Sequence, residues 1–261
     1  MSCTTMSCMQ PTEQRAWRAG RFWWDWPRPS GVTVQPLRAL IFDLDAIADV
    51  ECAGQLPAFN AAFAARGLQI EWTVPRYRQL LALRDGRRRV AAELRKRGVN
   101  TESDVLAELL VDEVCAAKET ILAETILDAD IVERAGLVEL IADAFGAGIA
   151  IGVVSSGRHS WVEPLVRQLV GVGIVSTIVT ADDVPAAPGS NPYEVALADL
   201  GATPADTLAF AGSQANQRKA NVAGLATVLI DGDDTVGAPL RVAECQRAHD
   251  KWQETPRPSA A

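Results

Sequence analysis

Two aspartates, Asp43 and Asp45, follow a short apolar run in the stretch ALIFDLDAIADVE, residues 39–51. A short apolar run closed by polar residues is typical of a buried parallel strand. The carboxyl ends of such strands form the crevice where an open α/β sheet binds ligands, so these carboxylates are candidates for chemistry. A strand followed by an Asx turn explains the same residues without chemistry, and the local sequence leaves both interpretations open.

The elements that must position these aspartates alternate between helix and strand after residue 135. The predicted helices are GLVELIADAFGAG, SWVEPLVRQLV, NPYEVALADLG and NQRKANVAG, and the predicted strands are IAIGVVS, IVSTIVT, TLAFAGS and ATVLI. Helices of this length between apolar strands predict an α/β fold with a Rossmann-like, doubly wound parallel sheet. The strand over residues 39–42 belongs to the same sheet.

The remaining segments differ in pattern from this core of residues 37–50 and 133–235. Residues 51–132 have apolar positions three and four apart, which predicts an inserted helical cap. Residues 1–36 are rich in tryptophan but show no period. We expect a poorly ordered extension there, which is either a partner-docking segment or the product of an upstream translation start. Residues 236–261 are expected to form a C-terminal tail.

Composition narrows the range of partners and compartments. The chain has 261 residues and a formal net charge of −8, which disfavours an exposed surface for nucleic acid or an anionic membrane. The five cysteines are dispersed and lack CxxC spacing, so we expect reduced thiols in a cytoplasmic protein without a disulfide framework or zinc site. No apolar stretch reaches the roughly 20 residues of a membrane span. The oligomeric state is left open.

Several of these segments together resemble the haloacid dehalogenase superfamily. The order is an Asp-x-Asp at the end of the first strand, a helical insertion, and a later strand that ends at Ser155. The segments FDLDAIADVECAGQLPAFNAAFAARGLQIEW and YRQLLALRDGRRRV are similar to those of CbbY-type sugar-bisphosphate phosphatases. The resemblance covers approximately residues 37–230.

The resemblance implies acyl-phosphate chemistry with a magnesium ion. Asp43 would attack the phosphoryl group, and Asp45 would protonate the leaving oxygen and then activate water. The same two residues would bind Mg²⁺. The implied partner is a small phosphorylated metabolite.

The resemblance also implies residues that bind the substrate. Ser155 and Ser156 would hold the phosphoryl oxygens, although Ser155 is equally explained as a turn residue before a helix. Arg87 and Arg89 fall where the family grips the distal part of its substrate, and a solvated basic helix face is the alternative. Because these arginines lie about 200° apart on a helix, we expect Arg87 to leave the regular helix and point into the cleft between cap and core.

The chain departs from the family pattern at its opening loop and its third motif. Ala46 and Ile47 replace a Gly-Thr pair in a loop that is one residue shorter, which puts a hinge function of the loop in doubt. Ala187 replaces the phosphate-binding lysine, and no Lys or Arg occurs over residues 168–217. A replacement cation would have to come from Arg158, Arg218, Lys219 or the cap.

The fourth motif lacks the acids that should hold the metal ion. Ala211, Gly212 and Ser213 replace Glu-Asp-Ser, and no Asp or Glu occurs over residues 207–230. Mg²⁺ is usually held by one or two carboxylates with water and phosphate oxygens, so its binding is expected to be weak or absent, even if Gln214 or Asn216 supplies a neutral oxygen.

Three functions remain open from the sequence. The first is a phosphohydrolase acting on a small sugar phosphate or bisphosphate with weakened catalysis. The second is a catalytically inactive protein that binds such a ligand or a protein partner. The third, attack of the aspartate on carbon as in dehalogenases, would still need the cation missing at Ala187. We expect Asp43, Asp45, Ser155, Ala187 and Gly212 to line one pocket, and restored activity to require Ala187→Lys together with Gly212→Asp.

Overall fold

The computed structural model describes most of the chain after residue 34. The described residues are 35–83, 85–99, 103–187, 189–230 and 240–254, together with two short strands at 18–19 and 22–25.

A seven-stranded sheet forms the centre of the molecule. Its strands are β1 (Arg18–Ala19), β2 (Phe22–Asp25), β3 (Ala39–Asp43), β4 (Ala150–Val154), β5 (Thr177–Val179), β6 (Thr207–Ala211) and β7 (Ala226–Ile230). The order across the sheet is β1-β2-β7-β6-β3-β4-β5. The five strands from β7 to β5 run parallel, with β3 in the middle, so the predicted parallel sheet is confirmed.

The N-terminal region was expected to be a poorly ordered extension, but part of it forms two strands. β1 and β2 form an antiparallel pair, and β2 pairs antiparallel with β7 along the edge of the sheet. Aromatic residues are common in strands, but two to four residues without alternation carry too little local signal to reveal a pairing with a strand 200 residues later. The rest of residues 1–34, including Trp17 and Trp26, lies outside the described residues.

Helices cover both faces of the parallel sheet. They are α6 (Leu137–Gly146), α7 (His159–Val170), α8 (Pro192–Leu200), α9 (Gln214–Val222) and α10 (Val242–Glu254). Successive side chains of β3 point to opposite faces, so Leu40 and Phe42 join one apolar cluster and Ile41 joins another. The sheet is therefore buried on both sides, which explains the continuous apolar run before Asp43.

The predicted C-terminal tail is wrong for residues 240–254. These residues include α10, and Leu240, Cys245 and Trp252 of this segment are buried against the core. The closing stretch TPRPSAA suggested a tail, but the apolar residues before it, spaced over a helix, pack against the core.

The segment between β3 and β4 is helical. It contains the short helix α1 (Leu44–Ile47), a π-helical turn at Glu51–Gln55, and the helices α2 (Leu56–Ala65), α3 (Val74–Leu80), α4 (Gly86–Lys96) and α5 (Asp104–Thr125). The four longer helices share an apolar cluster of their own, in which Phe59, Phe63, Trp72 and Tyr77 have rings in contact. None of the helices in the described part of the chain is both long and apolar enough to cross a membrane.

The buried carboxylate of Glu93 connects α4 to α3 through hydrogen bonds. Glu93 is only 1% exposed, and it accepts hydrogen bonds from Arg76 at 2.7 and 2.9 Å and from Arg97 at 2.9 Å. Burial raises the pKa of Glu93, but the hydrogen bonds from Arg76 and Arg97 outweigh this effect and lower the pKa below its ordinary value of 4.5. The ionised carboxylate is therefore the form that the fold stabilises.

Glu93→Gln is expected to reduce the free energy of unfolding at neutral pH by about 1–2 kcal/mol, since both arginines are partly exposed and can be solvated when unpaired. A carboxylate with a lowered pKa stabilises the fold above the unfolded pKa and loses this contribution as the pH falls through the folded pKa. The gap between wild type and Glu93→Gln should therefore shrink below about pH 4.5. Urea denaturation across the pH range measures it, and a gap that persists unchanged at pH 3 would contradict this account.

Candidate active site

Asp43 lies at the carboxyl end of β3 and directly precedes α1. Its side chain is 3% exposed, and its Oδ2 atom accepts hydrogen bonds from the backbone N–H of Gly212 at 3.1 Å and from Asn216 Nδ2 at 2.6 Å. Burial raises the pKa of Asp43, and the hydrogen bonds from Asn216 and Gly212 oppose that rise. One carboxylate oxygen is thus held in place by the loop that follows β6 and by α9.

A pocket of about 280 Å³ opens beside Asp43 at the carboxyl ends of the parallel strands. We call it the Asp43 pocket; its lining consists of Asp43, Val154, Ser155, Ser156, Ala181, Val184, Ser190, Pro192, Tyr193, Asn216 and Lys219. Three residues predicted from the sequence, Asp43, Ser155 and Ser156, therefore come together here. Asp45, Ala187 and Gly212 are not among the lining residues.

The two serines follow β4 in the turn before α7. Ser155 is fixed by its backbone N–H, which donates to the Val179 carbonyl at 2.9 Å, and its Oγ accepts from the backbone N–H of Gly157 at 3.1 Å. The hydrogen bond to Gly157 is the turn interaction that the non-chemical interpretation predicted. The same turn nevertheless places Ser155 and the exposed Ser156 in the lining of the Asp43 pocket.

Asp45 lies in α1, two residues after Asp43. Burial raises its pKa well above the ordinary value, and the negative charges of Asp43 and Glu51 raise it further, whereas Arg134 lowers it. A raised pKa lets a carboxyl group hold its proton to a higher pH than usual, which suits a general acid.

Gly212 packs directly against the backbone of α1. A Cβ atom at this position would lie 2.4 Å from the carbonyl carbon of Asp45, 2.5 Å from its oxygen and 2.6 Å from the nitrogen of Ala46. These are backbone atoms, which cannot rotate away as the end of a side chain can. Glycine is therefore the residue that this contact permits, and an aspartate of the family type has no room.

The residues around Asp43 and Asp45 do not fit a magnesium ion, which the resemblance implied would bind to both. Asp43 Oδ2 already accepts two hydrogen bonds, and the Asp45 carbonyl accepts one from Arg134 Nε at 3.1 Å. Position 212 offers neither a carboxylate nor space for one. Among the described residues, no group of three or more His, Cys, Asp or Glu side chains is arranged to hold a metal ion.

Tyr193 is a pocket residue that the sequence analysis missed. It is fully buried, and its hydroxyl has no hydrogen-bond partner among the described residues, although the side chain lines the Asp43 pocket. Burial raises its pKa far above the ordinary value, so the hydroxyl stays protonated and can donate. Buried polar atoms nearly always have partners, so this hydroxyl is suited to a ligand or to water in the pocket. Its place in a helical pattern gave no signal of this role.

Lys219 is the candidate cation from the sequence that lines the Asp43 pocket. Its Nζ atom donates to Asn216 Oδ1 at 3.1 Å, and both side chains line the Asp43 pocket. Arg158, another candidate from the sequence, instead forms an exposed ion pair with Asp182. The sequence named Asn216 as a source of a neutral metal ligand, whereas the structure shows its amide nitrogen bound to Asp43.

The two arginines of the cap have different positions from those expected. α4 begins at Gly86, so Arg87 lies within the helix, where it forms an exposed ion pair with Asp112 and does not point into the cleft. Arg89 is the one that faces the junction with the core: its Nη1 lies 3.7 Å from Glu51 Oε2 and 3.4 Å from the Tyr77 hydroxyl. Glu51 also contacts the Tyr77 hydroxyl, and its negative charge raises the pKa of Asp45.

This chain is similar to known proteins of one family. The family model described as haloacid dehalogenase-like hydrolase matches residues 37–216. Protein CbbY of Rhodobacter capsulatus is 31% identical over 222 residues, which is 81% of this chain and 95% of that protein.

Solved structures agree with this assignment. The crystal structure of CbbY from Rhodobacter sphaeroides in complex with phosphate has a TM-score of 0.60 at 28% identity, covering 73% of this chain and 84% of that one. A mutant of the same protein in complex with xylulose-(1,5)bisphosphate gives a TM-score of 0.59 at 27% identity over the same shares. The parallel sheet, the helical insertion after its first core strand and these matches show that the chain belongs to the haloacid dehalogenase-like hydrolase family.

Proposed function

We propose that this protein binds the phosphoryl group of a small sugar phosphate or bisphosphate in the Asp43 pocket and hydrolyses it slowly or not at all. The observation that carries the proposal is the lining of this pocket, where Asp43 lies with Ser155, Lys219 and the unpartnered hydroxyl of Tyr193. Hydroxyl and ammonium donors around one carboxylate suit an anionic ligand. A related CbbY has been crystallised with phosphate and with a sugar bisphosphate, which supports this ligand class.

The chemistry available to these residues is a two-step hydrolysis. The free carboxylate oxygen of Asp43 would attack phosphorus and form an acyl phosphate, while the bond from phosphorus to the sugar oxygen breaks. Asp45, whose pKa is raised by burial and by the charges of Asp43 and Glu51, would give its proton to that leaving oxygen. It would then accept a proton from the water that attacks the acyl phosphate, which releases phosphate and restores Asp43.

Weak catalysis is expected because the developing charge on the phosphoryl oxygens has few partners. Removing one preorganised donor typically costs about 10²–10³ in rate, and the lysine at position 187 and the acids of the fourth motif are both absent. Together these losses correspond to about 10³–10⁵ in rate, since effects at a shared site are not additive.

A second candidate function is a catalytically inactive protein that keeps only the binding step or serves a protein partner. The close packing of Gly212 on Asp45 favours it, because this contact occupies the space where the family places a metal carboxylate. In either case we propose a cytoplasmic protein without a nucleic-acid partner, since the net charge of −8 opposes binding to a polyanion.

Calorimetric titration and turnover assays with a panel of sugar phosphates and bisphosphates test this proposal. Wild type is expected to bind at least one of them in the micromolar to millimolar range and to show turnover near the background. Asp43→Asn should abolish any turnover while keeping the ligand bound, because the amide preserves the shape of the side chain. Asp199→Asn, on the exposed surface of α8, is the matched control.

Rapid wild-type turnover that Asp43→Asn abolishes would show that the missing residues matter less than proposed. The absence of binding at millimolar ligand would rule out the Asp43 pocket as a phosphate site. Turnover unaffected by Asp43→Asn would place the chemistry elsewhere.

A further inference from the structure

We propose that Lys219 provides the positive charge for a phosphoryl group in the Asp43 pocket, in place of both a divalent metal ion and the lysine missing at position 187. This inference rests on the proposed function and names the group that makes such binding possible. It predicts a phosphate site that works without a metal ion.

A continuous chain of hydrogen bonds connects Lys219 to Asp43. Lys219 and Asn216 are three residues apart in α9, so their side chains are neighbours on one face of the helix. The ammonium of Lys219 donates to Asn216 Oδ1 at 3.1 Å, and Asn216 Nδ2 donates to Asp43 Oδ2 at 2.6 Å. Asn216 therefore holds the cation beside the carboxylate, at a position where both line the same pocket.

Other cations of the core are engaged elsewhere. Arg158 pairs with Asp182, and Arg134 donates to the Asp45 carbonyl. Arg218 and Lys219 are both exposed, but Arg218 is not among the lining residues. Of the described residues that line the Asp43 pocket, Lys219 is the one with a positive charge. A lysine ammonium is a compact charge with three donors and binds phosphate well.

Two contacts reduce the ligands that a metal ion could find next to Asp43. Gly212 touches the backbone of Asp45 and leaves no room for a side chain, and Arg134 Nε occupies a lone pair of the Asp45 carbonyl at 3.1 Å. A positive charge from the protein itself, at Lys219, compensates for these missing ligands. The buried and unpartnered hydroxyl of Tyr193 supports a polar ligand in the same pocket, independently of the charge argument.

Calorimetric titration of the full chain with inorganic phosphate tests the inference, with Lys219→Gln compared to Arg218→Gln. Both variants remove one positive charge from α9, but only Lys219 lines the pocket. Lys219→Gln is expected to weaken phosphate binding about tenfold or more, the scale of one charge-assisted hydrogen bond, and Arg218→Gln to change it less than about twofold. Wild-type affinity should be the same in EDTA and in millimolar Mg²⁺. Melting temperatures verify that both variants are folded.

Two results would overturn the inference alone: equal affinities of Lys219→Gln and Arg218→Gln, or a wild-type affinity that rises tenfold or more when Mg²⁺ is added. A wild type that binds no phosphate under either condition would overturn the proposed function and this inference with it.

Discussion

Gly212→Ala is expected to lower the free energy of unfolding by about 3 kcal/mol, the upper part of the range for overpacked sites. The added Cβ would lie within 2.6 Å of three backbone atoms of Asp45 and Ala46, and α1, which carries them, is packed in the core. Relief would require a shift of the whole turn that holds Asp43 and Asp45. Urea denaturation of wild type and variant measures the loss.

Gly146→Ala is the matched control for this substitution. A Cβ at Gly146 meets no atom within 4 Å, so this change should leave stability unchanged or raise it by about 0.5–1 kcal/mol. If Gly212→Ala were as stable as Gly146→Ala, the contact between the loop after β6 and α1 would be soft, and a metal ligand could be introduced there.

The same contact alters the expected outcome of restoring the family residues. The sequence analysis predicted that restored activity requires Ala187→Lys together with Gly212→Asp. An aspartate at position 212 has the same Cβ as alanine, so it meets the same backbone atoms before its carboxylate can reach a metal ion. A shift of α1 would therefore have to accompany any rescue.

Tyr193→Phe is expected to change stability and ligand binding in opposite directions. The free protein should become about 1 kcal/mol more stable, because the variant no longer buries an unpartnered hydroxyl. Phosphate binding should weaken about tenfold, since a hydrogen bond to a charged group is worth about 1.5–3 kcal/mol. Opposite effects on stability and on phosphate binding would indicate that the hydroxyl serves to bind a ligand rather than to stabilise the fold.

Tyr77→Phe provides the control, since it removes the hydroxyl of the other buried tyrosine. The Tyr77 hydroxyl donates to Glu51, so its removal leaves that carboxylate with only the more distant Arg89 guanidinium, 3.7 Å away, and should destabilise the protein by about 1 kcal/mol. Urea denaturation and phosphate titration of both variants give the comparison. A Tyr193→Phe variant that is less stable than wild type would show that its hydroxyl has a structural partner.

Local sequence patterns determined the parallel sheet and the family. Each strand of the parallel core is a short apolar run, and each is separated from the next by an amphipathic helix or a turn with Gly or Pro, so neighbouring residues alone carry the signal. The two aspartates after β3 and the serines after β4 were found for the same reason. A strand end is a local feature, and parallel strands bring their carboxyl ends to one edge.

Tertiary structure decided which arginine faces the core and how the chain ends pack. Capping of α4 by Asp85, whose side chain accepts from the backbone N–H of Arg88 at 2.9 Å, keeps Arg87 inside the helix. The phase of α4 relative to the core then directs Arg89, rather than Arg87, towards Glu51. Likewise, β2 and α10 are held by contacts with residues far away in sequence, which no local period records.

The composition of the site was decided by tertiary structure as well. The sequence determined that the lysine of the third motif and the acids of the fourth were missing, because those positions are fixed by their distance from a strand. It did not determine that Gly212 packs against the backbone of Asp45 or that Asn216 donates a hydrogen bond to Asp43. Nor did it determine that Lys219 lines the pocket. These contacts join residues about 170 positions apart, and their distances depend on how α1 and α9 pack at the end of the sheet. The sequence specifies the residue types, whereas the packing of helices and strands determines which side chains are in contact.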